Sequence, residues 1–105
     1  MKINILGTSY VVKIDSELEK INADGECKPY LKLIRIRPVE SMCYDDATDE
    51  EKHERFKEVM RHELIHAFFS ESGLDDYSSN EQLVDWLASQ FPKLYKAFVK
   101  AGCSD

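Results

Sequence analysis

The sequence predicts a single α+β domain, in which a small twisted antiparallel sheet of three to four strands is followed by a long helix, a second helix and a short C-terminal helix. Two observations support this prediction. Apolar residues alternate with polar ones before residue 38, and they recur at helical spacing after residue 45. The chain has 105 residues, a length that suits one domain, 1–105, with one small core.

The expected strands lie in the first third of the chain. In KINIL and YVVKID apolar and polar residues alternate, and the GTS between them can close a hairpin. The turn signal NADG precedes YLKLIRIRP, in which Ile34 and Ile36 face one way and the two arginines the other. Because a proline directly after such a run suits the end of an edge strand, we expect Pro38 to follow one.

The first predicted helix is the longest of the three. The stretch DDATDEEKHERFKEVMRHELIHAFFSESG begins with a possible capping box, Thr48-x-x-Glu51, and ends at Gly73, which predicts about 22 helical residues. Its second half, LIHAFF, is apolar nearly all round, as is typical of a helix inside a protein. A second helix is predicted in NEQLVDWLASQF, and a short third one begins near Pro92.

Charge and cysteine content exclude several classes of function. The net charge is −6, so neither nucleic acid nor an anionic membrane surface is expected as a partner. The cysteines, Cys27, Cys43 and Cys103, are odd in number and widely spaced, which predicts reduced thiols and neither a disulfide framework nor a zinc ribbon. No stretch matches a signal peptide or a membrane span, and a cytoplasmic location is therefore expected.

The motif His62-Glu63-Leu64-Ile65-His66 stands in the apolar half of the long helix. Residues four apart lie on one face of a helix, so both imidazoles can bind one Zn2+ ion. Glu63 flanks the pair, and from there it can act as general base on a metal-bound water. This HExxH pattern is typical of zinc metallopeptidases. The alternative, a chance arrangement of helix residues, would leave three polar groups among apolar neighbours.

A catalytic zinc ion needs a third protein ligand as well as an open position. Glu81 begins the next helix and is the expected ligand, although Ser78-x-x-Glu81 is also a possible capping box. Asp75 and Asp76 are alternative ligands. Asp85, one turn after Glu81, is expected to accept the other ring N–H of a metal-bound histidine and so fix its tautomer.

These residues give the chain a resemblance to two groups of metallopeptidases. HExxH on one helix with a glutamate on the next resembles the gluzincin arrangement. NEQLVDWLASQFP resembles the ImmA/IrrE family, whose second helix carries Glu-x-x-Ala-Asn-x-Phe-Ala before a proline. Glu81, Asp85 and Ala88 fall at corresponding positions, with aspartate in place of asparagine, Val84 in place of alanine and Leu87 in place of phenylalanine. The resemblance covers about residues 55–92.

The resemblance implies a minimal zincin in which His62, His66 and Glu81 hold zinc and a peptide bond of a bacterial or phage regulatory protein is hydrolysed. The substrate of such an enzyme extends along the strand that lines the cleft, and KLIRIRP is the candidate for that strand. Tyr77 is a candidate for stabilising the oxyanion, although a loop tyrosine also suits packing. The alternative function is a non-catalytic, zinc-stabilised protein-binding module, which would have no use for an acid at Glu63.

Overall fold

Four strands and four helices make up the fold, in a computed structural model that describes all 105 residues. The strands are β1 (Lys2–Ile5), β2 (Thr8–Ile14), β3 (Gly25–Lys28) and β4 (Leu33–Ile36). The helices are α1 (Glu17–Lys20), α2 (Asp49–Glu71), α3 (Asp75–Ser78) and α4 (Glu81–Ala101). The predicted α+β class is confirmed, and so is the long helix that follows the sheet.

The sheet has the strand order β1-β2-β4-β3 and is mixed, where the sequence predicted antiparallel pairing throughout. β1 and β2 form the predicted hairpin, and β3 pairs antiparallel with β4. The central strands β2 and β4 run parallel, with Val12 opposite Ile34. Parallel neighbours need a connection of a dozen or more residues. The segment between Ile14 and Leu33, which holds α1 and β3, provides it.

The strand expected to line the cleft occupies a different place in the sheet. β4, the strand of KLIRIRP, is an inner strand, and the side chains of Ile34 and Ile36 are fully buried. The expectation that an edge strand ends at Pro38 is therefore wrong. Pro38 lies beyond the last residue of β4, where its missing N–H removes no bond of the ladder. Of the two edge strands, β3 has the more extensive contact with α2.

α2 lies against the sheet, and the main core fills the space between them. Its first turn carries the predicted capping box, with Glu51 N donating to Thr48 Oγ1 and Thr48 N donating to Glu51 Oε1. At its last residue, Glu71 accepts hydrogen bonds from Tyr10 Oη at 2.7 Å and from Lys32 Nζ at 2.6 Å. The buried members of this core are Ile5, Tyr10, Val12, Ile34, Ile36, Met42, Val59 and Ala67.

α4 is one continuous helix where the sequence predicted two. Pro92 lies inside it and cannot donate a backbone hydrogen bond to the carbonyl of Ala88, four residues earlier. Arg61 of α2 replaces that donor, since its Nε lies 2.6 Å from Ala88 O. The same bond therefore satisfies the carbonyl and ties α4 to α2. No helix of this chain combines the length and the apolar character that a membrane crossing needs.

Candidate metal centre

Three predicted ligands meet where α2 faces the first turn of α4. His62 Nε2 lies 3.1 Å from His66 Nε2 and 3.2 Å from Glu81 Oε2. His66 Nε2 lies 3.2 Å from Glu81 Oε1. The helical repeat of α2 places the two imidazoles one turn apart on one face. The chain reverses direction through α3, so α4 runs antiparallel to α2. Glu81, the first residue of α4, therefore lies beside both imidazole rings. We call these three side chains the donor triangle.

The donor triangle suits a zinc ion in its spacing and in its chemistry. Zinc binds imidazole nitrogen and carboxylate oxygen at about 2.0–2.2 Å, so a tetrahedral site separates its ligand atoms by about 3.3–3.6 Å. The observed separations of 3.1–3.2 Å are close to this. The side chains of His62 and His66 are 20% and 14% exposed, and that of Glu81 is 63% exposed. One side of the triangle therefore remains accessible to a further ligand.

Hydrogen bonds at the other ring nitrogens orient both imidazoles. His62 Nδ1 lies 2.9 Å from Asp85 Oδ1, and we assign it as an N–H that donates to this carboxylate. Ser78 Oγ donates to the carbonyl of His66 at 3.3 Å, so it accepts from His66 Nδ1 at 3.2 Å. Both Nε2 atoms are then lone-pair acceptors that face the carboxylate of Glu81. A cation relieves the repulsion within such a group.

Glu81 is free to be a ligand because another residue caps its helix. Asn80 is the N-cap of α4, and its side chain accepts a hydrogen bond from Leu83 N at 3.1 Å. The alternative capping box of Ser78 with Glu81 does not form, since Ser78 contacts His66. Asp75 and Asp76 lie exposed on α3 and do not join the cluster.

Glu63 is the one buried acidic residue, with 6% of its surface exposed. Its nearest carboxylate oxygen and one ring nitrogen each of His62 and His66 lie within 4.8 Å of one another. Burial and, next in size, the negative charge of Glu81 raise the pKa of Glu63 to about 7. Burial also lowers the pKa of His66, which favours its neutral ring. A buried carboxylate this close to both imidazoles is placed as a general base would be.

The edge strand β3 approaches α2 closely at Gly25. A Cβ at this position would lie 2.8 Å from Val59 Cγ1 and 2.9 Å from Glu63 Cγ, closer than side chains tolerate. Glycine is therefore required for the sheet edge to lie against the helix that carries the motif. The sequence showed Gly25 only as part of the turn signal NADG, and no local pattern indicated which element it would meet.

The backbone of β3 offers unpaired groups beside this site. Arg37 N donates to Asp24 O at 2.8 Å, which makes Asp24 a hydrogen-bonded position of the antiparallel ladder. Because such positions alternate along a strand, the N–H and C=O groups of Gly25 and Cys27 point away from β4. They lie on the free edge of the sheet, where an extended chain can add as a further strand.

A cleft of about 440 Å³ opens beside the donor triangle, between α2 and residues 22–25. His62, Glu63 and Asp85 line one end of it. Tyr77, the candidate for the oxyanion, does not line this cleft. It lies half exposed on α3, with its ring centre 6.1 Å from that of Phe69. The structure therefore brings five of the six predicted site residues together and leaves Tyr77 outside them.

No protein-family model, no curated protein and no solved structure matches this chain.

Proposed function

We propose that this protein is a zinc-dependent metallopeptidase in which His62, His66 and Glu81 hold the ion and Glu63 is the general base. The observation that carries this proposal is the donor triangle, with sides of 3.1–3.2 Å, next to a buried carboxylate that it does not use. A structural zinc site is closed by four protein ligands, whereas a catalytic one has three and an open position. Three ligands with a neighbouring acid fit the catalytic kind.

Each side chain has a separate task in this proposal. Zinc, when bound, would supply a Lewis acid that polarises the scissile carbonyl and acidifies water. Glu63 would take a proton from the attacking water on its carboxylate and pass it to the leaving amine. Asp85 and Ser78 would hold the rings of His62 and His66 with Nε2 directed at the ion.

The free edge of β3 supports a peptide as the substrate. The outward backbone groups of Gly25 and Cys27 can pair with an extended chain, and Gly25 brings this edge within contact of Glu63. In this proposal the strand that pairs with the substrate is β3, and not the strand of KLIRIRP that the sequence suggested. We also propose that the substrate is a regulatory protein of the cytoplasm, as the sequence resemblance implies.

The first test measures metal content and hydrolysis side by side. We expect the purified wild type to hold about one zinc ion per chain by mass spectrometry, and His62→Ala and Glu81→Ala to lose it. Glu63→Gln should keep zinc and lose about 10²–10⁴-fold in peptide hydrolysis. His53→Ala is the matched control, because His53 is an exposed histidine of the same helix whose Nδ1 lies 2.8 Å from Asp49 O.

Three outcomes would contradict parts of this proposal. A wild type that takes up no zinc when zinc is supplied would rule out the metal centre. Zinc that survives Glu81→Ala would mean that another residue is the third ligand. Equal hydrolysis by wild type and Glu63→Gln would remove Glu63 from the mechanism.

A zinc-stabilised binding module is the second candidate function, and one observation favours it. The half of α4 beyond Pro92 leaves Tyr95, Phe98 and Val99 between 40% and 51% exposed, which is unusual for apolar residues of an amphipathic helix. A protein that binds zinc and hydrolyses none of a broad set of peptides would favour this function over the first.

A further inference from the structure

The cleft beside the metal centre extends away from the donor triangle along α2. His62 and Glu63 lie at one end. Glu58 lies about one turn closer to the N-terminus of α2, and Arg55 about two turns closer. The seven helical rises between Arg55 and His62 span about 10 Å. An extended peptide rises about 3.3 Å per residue, so the cleft covers about three substrate residues next to the scissile bond.

Residues 22–25 form the wall of this cleft opposite α2, and this wall is held in place from two sides. Arg37 N donates to Asp24 O at 2.8 Å, and Arg37 Nη1 lies 3.4 Å from Asn22 Oδ1, which fixes the wall to the sheet. Arg55 Nε and Nη2 donate to Asp24 Oδ2 at 3.1 and 2.9 Å, which fixes the wall to α2. The cleft is therefore present before any substrate binds, and little ordering is needed on binding.

The charges that line the cleft are mostly negative. Asp24, Glu58 and Asp85 contribute carboxylates, whereas Arg55 is the one basic residue of the lining. Its guanidinium is already engaged, because it is bonded to Asp24 and lies 3.9 Å from Glu58 Oε1. The carboxylate of Glu63, almost fully buried, also opens into this cleft and pairs with no cationic side chain.

Apolar side chains would find few partners here. Only Ala23 and Val59 of the ten lining residues are hydrophobic. A zinc ion would add positive charge at the end of the cleft near His62, and Glu81 would partly balance it. At the other end, the negative charges of Glu58 and Asp24 would still outnumber the single positive charge of Arg55. The net charge of −6 on the whole chain also favours the approach of cationic substrates.

We propose that this cleft selects peptides that carry a lysine or arginine within about three residues of the scissile bond. The cationic side chain of the substrate would lie along α2 with its charge at the carboxylate of Glu58. This proposal rests on the proposed function, because it assigns the substrate class of the same site.

Hydrolysis of a matched peptide series tests this preference. The peptides share one extended sequence and differ at a single position near the scissile bond, which holds lysine, arginine, norleucine or glutamate, with that position moved across three residues on either side. We expect kcat/KM for lysine and arginine to exceed that for norleucine by about tenfold, with glutamate lowest. The preference should shrink at high ionic strength because salt screens charges.

Two glutamate variants of α2 separate the cleft from the general charge of the protein. Glu58→Gln should reduce the preference for lysine over norleucine by about three- to fivefold. Glu54→Gln is the matched control, because Glu54 lies on the same helix, is 66% exposed at its side chain and pairs with Lys57 outside the cleft. An equal loss in both variants would show that only the net charge matters and would overturn the proposal.

The failure of this proposal can be distinguished from the failure of the metallopeptidase assignment. Equal hydrolysis of the lysine, norleucine and glutamate peptides would overturn the basic preference and leave the metallopeptidase intact. Where no peptide is hydrolysed, the same series is bound to zinc-loaded Glu63→Gln protein and measured by calorimetry. Tighter binding of the lysine peptide, lost in the Glu58→Gln double variant, would support the basic preference, and equal binding would overturn it.

Discussion

The two sides of α2 are built in opposite ways. Toward the sheet, α2 contributes Val59 and Ala67 to an apolar core of eight buried residues, and Glu71 at its last position forms an ion pair with Lys32. Toward α4, the contact buries only Val84 and Ala88 of the partner helix. That contact also contains polar groups, namely the donor triangle, Asp85 and the bond from Arg61 to a carbonyl.

This difference indicates which part of the fold stands alone. Apolar burial stabilises the contact with the sheet without any ligand. The contact with α4 sets imidazole lone pairs against a carboxylate, an arrangement that repels unless a proton or a metal ion lies between them. We therefore expect the sheet and α2 to be stable in metal-free protein, and the first turns of α4 to depend on the ion.

Truncation in the apolar core should have the largest effect. Ile34→Ala removes most of a fully buried side chain of the central strand β4, and we expect a loss of about 2–5 kcal/mol in the free energy of unfolding, with or without zinc. Urea denaturation measures it. Ile14→Ala is the control, since Ile14 is 55% exposed and should cost less than about 1 kcal/mol. Similar losses in both variants would show that the sheet core is not the stable part.

Zinc should have the next largest effect, and it should be concentrated in α4. At a free concentration 100 times its Kd, zinc adds about 2.7 kcal/mol to the free energy of unfolding. Hydrogen exchange should slow more in residues 81–90 than in β2 and β4 when zinc is added. Glu81→Ala protein, treated in the same way, should show neither change. Slowing that is uniform over the chain would mean that the two sides of α2 do not differ as proposed.

Removing the charge that orients one imidazole should have a smaller effect. Asp85→Asn keeps the size of the side chain that accepts from His62 Nδ1 but removes its charge, and we expect zinc affinity to fall about 10–100-fold. Competition with a coloured chelator measures it. Asp76→Asn, at an exposed position of α3, should leave the affinity unchanged. A result in which both variants behave as wild type would remove Asp85 from the site.

The helix caps should give the smallest effect and the most direct comparison of the two regions. Thr48 caps α2 and Asn80 caps α4, and either change to alanine should cost about 1 kcal/mol or less of stability. Only Asn80→Ala should also weaken zinc binding, because its helix begins with the ligand Glu81. Zinc titration of the two variants tests this. Equal affinity in both would show that the position of Glu81 does not depend on its cap.

Local spacing made part of this site predictable. The histidines are four residues apart on a helix, so their common face follows from the helical repeat, as does the position of Glu63 beside them. Glu81 and Asp85 were predictable because both lie near the start of the next helix. Asp85 also stands in an apolar stretch, where a charge without a partner is costly. The structure places these residues together, whereas zinc binding and peptide hydrolysis stay predictions.

The features that the sequence did not predict depend on contacts between distant segments. The direction of β4 depends on the connection through α1 and β3, and a run of alternating residues does not encode which neighbour it joins. Gly25 matters because of Val59 and Glu63, and Ser78 because of His66. The prediction for Tyr77 depended only on its position between the two long helices, and α3 turns its ring toward Phe69.

The bond between Arg61 and the carbonyl of Ala88 has a consequence for how this sequence can evolve. Ala88 is 1% exposed, and Pro92 has left its carbonyl without a backbone donor, so loss of the arginine alone would strand a buried acceptor. An alanine at position 92 would restore the helical bond and make the arginine dispensable. The order of the two changes would then matter for stability, because losing the arginine first passes through a protein less stable by about 1–3 kcal/mol.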